Sequence, residues 1–130
     1  MVQKQSANQI QRIEELQKYV RTVDHVRKLV AELESNRAAN PKIINGICAN
    51  IARELSHMRQ RALTANLGTL PDVAGSLAIV AGRAGTGIMM KVRALVDGVN
   101  SMSMQLDQSL KMAHEARPEK AKKEEENRQS

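Results

Sequence analysis

The sequence predicts an all-α protein, an antiparallel three-helix bundle with a long third helix. Three observations point there. Apolar residues recur every three or four positions through most of the 130 residues, the period of an amphipathic helix. Tyr19 is the only Phe, Trp or Tyr in the chain, so a core of Ala, Ile, Leu, Val and Met is expected. That composition suits helices better than the aromatic-rich strands of a sheet. Proline, asparagine and glycine fall between the periodic stretches, where helix ends need them.

The first stripe is Ile10, Ile13, Leu16, Val20, Val23, Val26, Val30 and Leu33. Its steps lie close to the 3.5-residue repeat of a coiled coil. Ser6 is a suitable N-cap. Asn36 and Asn40 favour caps and turns, and Pro41 disfavours helical geometry at the residue before it, so the helix should end within "SNRAANP".

Pro41 suits the first turn of a second helix. There the stripe is Ile44, Ile47, Ile51, Leu55, Met58, Ala62 and Ala65. "NLGTLPD" should stop it, with Gly68 in the left-handed position after the helix and Pro71 with Asp72 opening the next one.

The third stripe starts at Leu77 and ends at Ala113, and its ten steps cover 36 residues. It crosses "AGRAGTGI" without losing phase. The expectation is a continuous helix of about 65 Å at 1.5 Å per residue. Three interior glycines would cost roughly 1 kcal/mol each, which calls for close packing at this point. A break near Gly82–Gly87, giving four helices, is the alternative. Residues 1–116 form the expected helical domain. Residues 117–130, "RPEKAKKEEENRQS", hold no apolar residue except Ala121, and a charged, disordered tail is expected.

The net charge is +6, and 41–70 carry +3 of it. An excess of this kind is compatible with nucleic acid or an acidic partner. Arg53, Arg59, Arg61, Arg83 and Arg93 are the candidate face. With one aromatic residue there is no stacking platform for single strands, so any contact would be to phosphates. No apolar run approaches the roughly 20 residues of a membrane span, and Met1–Ile10 lacks a signal-peptide core. A soluble, cytoplasmic protein without membrane contact is expected. The single Cys48 excludes an internal disulfide.

Gly82, Gly85 and Gly87 have the Gly-x-x-Gly-x-Gly spacing. A dinucleotide loop would need it between a strand and a helix, and no second strand follows, so no cofactor is expected. His25 and His114 are far apart and lack ligand partners at helical spacing, which argues against a metal. "RELSHMRQRALTAN" carries the sharpest chemical candidate, His57. Through Leu55, Ser56, His57, Leu63, Thr64 and Ala65 it resembles the phosphoacceptor helix of sensor histidine kinases. It departs at Met58, where that family commonly has an acidic residue, and at Ala62, where it often has proline. The resemblance implies that His57 accepts a phosphoryl group.

In a three-helix bundle the third helix would overhang the second by about 20 residues, roughly 30 Å. That overhang would expose more apolar surface than a monomer usually tolerates. The expected function is therefore a non-enzymatic interaction protein, an adaptor, scaffold or regulatory subunit, acting as a homo-oligomer. Ala81, Gly82, Gly85, Ile88, Met89, Met102 and Leu106 form its candidate packing or oligomer face. The alternatives are a phosphate-contacting nucleic-acid subunit and a histidine phosphotransfer module.

Overall fold

The computed structural model describes residues 6–83 and 87–115. Among these the regular structure is entirely helical, in four helices: α1 (Ala7–Ser35), α2 (Pro41–Ala62), α3 (Leu70–Gly82) and α4 (Ile88–Glu115). The expected tail, 117–130, lies outside the described residues.

Local chemistry explains most of the boundaries. The Ser6 hydroxyl accepts from the Gln9 N–H at 3.1 Å and caps α1. At the other end Asn36 donates through its side-chain amide to the Glu32 carbonyl at 2.8 Å. Asn40 caps α2 by accepting from the Ile43 N–H at 3.1 Å, and Pro41 occupies its first turn. The turn between α2 and α3 uses two left-handed residues, Asn66 at φ 53° and Gly68 at φ 61°. Arg12 reaches across from α1 and donates to the Ala65 and Asn66 carbonyls.

The expected continuous third helix is not observed. It breaks after Gly82, where Arg83 turns extended (φ −76°, ψ 124°), and α4 restarts at Ile88. Energetics account for this. A Cβ on Gly82 or Gly87 would meet nothing within 4 Å, so no neighbour offsets the helical cost of these glycines. Folding back also buries Val92, Leu95, Val99, Met102 and Leu106 within the chain. At about 1.5–3 kcal/mol per side chain that gain is on the order of 10 kcal/mol, against roughly 1 kcal/mol per glycine. The unbroken phase of the stripe misled because both helices face one core, each from its own side of the break.

α1 packs against α2 and α4, and α3 packs against the same two. Gln9 donates to the Ala113 carbonyl at 2.7 Å, while Arg27 donates to Asn100 and Ser103, each at 2.8 Å. Residue numbers rise on α1 as they fall on α4, so this pair is antiparallel along nearly its whole length. The predicted overhang is therefore absent. One core unites Leu16, Val23, Val26 and Val30 of α1 with Ile51 and Leu55 of α2, Leu77 of α3 and Leu95 and Met102 of α4. The first stripe needs adjustment at two points. Ile10 is exposed and Val20 only half-buried, whereas Tyr19 is buried.

Candidate functional site

α2 buries Ile47, Ile51, Leu55, Met58 and Ala62. His57 lies beside that stripe, between Leu55 and Met58, and is exposed. It opens into a groove of about 600 Å³ between α1 and α2. Glu54 and Arg61, three residues before and four after His57, share its face of the helix. α1 supplies the opposite wall with Glu15, Lys18, Tyr19 and Thr22. Two cations and two carboxylates thus surround one exposed imidazole.

The floor of the groove is less polar. Tyr19 and Met58 are buried, and the Tyr19 hydroxyl donates to Glu15 Oε1 at 3.4 Å. Burial, and then the Glu15 carboxylate, push the Tyr19 phenol above its ordinary pKa, while Arg61 and Arg12 pull it down. Arg61 therefore lies close enough to act across the groove on α1.

The five candidate arginines do not form one face. Arg61 lines the α1 side of α2. Arg59 lies on the α3 side, where its Cδ would stand 2.8 Å from a Cβ on Gly75. Arg53 is exposed two turns before Arg61, Arg83 ends α3, and Arg93 is exposed on α4. Nor do the candidate oligomer residues form one surface. Ala81, Met102 and Leu106 are buried in the core of the chain itself. Ile88 packs partly against that core, Gly82 and Met89 are exposed, and Gly85 lies outside the described residues. The other exposed methionines, Met90, Met104 and Met112, are spread around the outer side of α4.

The glycine-rich stretch begins in the last turn of α3, with Gly82 the final residue of that helix, so a helix stands where a dinucleotide fingerprint requires a strand. No group of three His, Cys, Asp or Glu among the described residues has metal-binding geometry. No described helix is long and apolar enough to cross a membrane.

Sequence reasoning missed two things. One is the α1 wall of the groove. Apart from the buried Tyr19, its residues are ordinary charged and polar helix side chains, and only the register of α1 on α2 brings them to His57. The other is Lys91, which is 91% buried (9% exposed). Its ammonium donates to the Arg83 carbonyl at 2.9 Å and lies 4.0 Å from Cys48 Sγ. The signal was present, since Lys91 adjoins Val92 and precedes Leu95 by one helical turn.

Comparison with protein families, with characterised proteins and with solved structures finds no match for this chain.

Proposed function

We propose that the chain is an antiparallel four-helix bundle acting as a non-enzymatic histidine phosphotransfer module, with His57 as the phosphoryl acceptor. The observation that carries this reading is the exposed His57 in the α1–α2 groove, with Lys18 and Arg61 lining the same space. An acceptor must reach a donor held by another protein, so it belongs on an open helix face rather than in a closed pocket. In the reaction a neutral imidazole nitrogen attacks phosphorus. The bond from phosphorus to the donor's leaving atom breaks, and the leaving group takes that electron pair. A ring N–H proton goes to solvent, and onward transfer reverses these steps. The donor is a partner's acyl phosphate or phosphohistidine, and a cytoplasmic location goes with such partners.

The test is incubation with phosphoramidate, a small donor that loses ammonia as its P–N bond breaks. Acid-labile, base-stable phosphate on His57, absent in His57→Gln, is the expected result. No such phosphate on the wild-type chain would sink the reading.

Self-association is the second reading. It rests on the exposed Met89, Met90 and Met104 of α4, because the overhang that first motivated it is absent. A molar mass of a single chain across the micromolar range, by sedimentation, would remove it.

A further inference from the structure

We infer that α1 belongs to the phosphoryl site, with Lys18 of α1 and Arg61 of α2 flanking the phosphoryl group on His57 against the opposing carboxylates of Glu15 and Glu54. The inference rests on His57 being the acceptor and adds which side chains hold the group it carries. Its basis is the composition of the groove. Before transfer, two cations and two carboxylates line it, and their formal charges cancel. A phosphoryl group adds about −1.5 to −2 at neutral pH. The groove then becomes anionic, and each neighbour takes a definite sign towards the new charge.

Arg61 stands one helical turn after His57, at the spacing where helix side chains meet. Its guanidinium stays charged throughout the accessible pH range and supplies a positive charge on the side of α2 that His57 faces. Lys18 approaches from the other wall, so the group is flanked by two helices rather than by one. Glu54, three residues before His57 on the same face, opposes it. Thr22, on the α1 wall, donates its hydroxyl to the Lys18 carbonyl at 3.1 Å, so the two cations are the groups left to meet the phosphoryl oxygens. All of these side chains lie beside open solvent, so each contribution is modest. The site is built for reversible loading, in which the phosphoryl group is held but not trapped.

Lys18 and Arg61 act here as positioning residues, and the sign of their effect separates this role from a structural one. The experiment follows the ³¹P resonance of phospho-His57 against pH in the full chain loaded with phosphoramidate. The pKa of the phosphoryl group reports the local potential directly. Lys18→Gln and Arg61→Gln should each raise its midpoint by about 0.2–0.7 pH unit. Glu54→Gln should lower it by a similar amount, Arg61→Lys should restore most of the wild-type value, and 1 M salt should collapse the differences. Midpoints that do not move, or that move the same way for Arg61→Gln and Glu54→Gln, overturn the inference while leaving His57 as the acceptor. Absence of any phosphohistidine resonance in the wild type defeats the acceptor assignment itself.

Discussion

Gly98 on α4 gives Leu77 on α3 the space that any side chain at 98 would occupy. A Cβ built on Gly98 would overlap both methyl groups of Leu77, and Leu77 is itself buried. The close helix approach expected at the glycine-rich stretch occurs eleven residues past Gly87, at a glycine in the middle of α4.

Gly98→Ala therefore sets two effects against each other. Helix propensity favours alanine by up to about 1 kcal/mol, and overpacking costs typically 1–3 kcal/mol. A net loss of about 1 kcal/mol is expected by urea denaturation. The loss should shrink when Leu77→Ala is present, because the double mutant removes the clash. Gly82→Ala, with nothing within 4 Å, should be neutral or slightly stabilising.

The break between α3 and α4 has a direct spectroscopic test. In a continuous helix, residues 76 and 97 would be about 31 Å apart at 1.5 Å per residue. Folding back brings Leu77 against Gly98 instead. Spin labels at Ser76 and Asp97, both exposed, placed in a Cys48→Ser background, should give a distance well below 31 Å. A distribution centred near 31 Å would restore the single long helix.

Tyr19 is the only aromatic residue, so tyrosinate absorbance follows this one side chain. Its midpoint should lie above the ordinary value of about 10, because burial and Glu15 favour the neutral phenol. The sign of the stability effect follows. Between the unfolded and folded pKa values the native chain holds a proton that the unfolded chain has lost. The contribution is complete below about pH 10 and disappears as pH rises through the folded value. Tyr19→Phe should therefore flatten the fall of stability above pH 10, and an identical alkaline slope in the variant would refute this.

Lys91 fastens the end of α3 to the first turn of α4 through the Arg83 carbonyl. Lys91→Met keeps an unbranched apolar stem and removes the donor, for an expected loss of about 1 kcal/mol. Lys91→Ala also removes the buried stem and should lose about 1–2 kcal/mol more. Equal melting temperatures for the two variants would show that stem packing contributes nothing here.

The sequence by itself determined the helical class, the first helix, the start of the second and the turn chemistry at Ser6, Asn36, Asn40, Pro41 and Gly68, while the second helix ends at Ala62 rather than running on through Ala65. These are local matters, because periodicity and capping act within a few residues. It also singled out His57, since a polar residue beside an apolar stripe can be read from helical spacing alone. Tertiary structure decided the rest. Whether "AGRAGTGI" continues a helix or ends one depends on where Val92–Leu106 can be buried, and that is a competition between distant surfaces. The same competition cancelled the overhang and took Met102 and Leu106 out of any oligomer face. It also placed Arg59 and Arg61 on opposite flanks of α2 and brought Lys18 to His57. Sequence spacing reports which residues share a face of one helix. Which face meets which neighbour is set by the packing of all four.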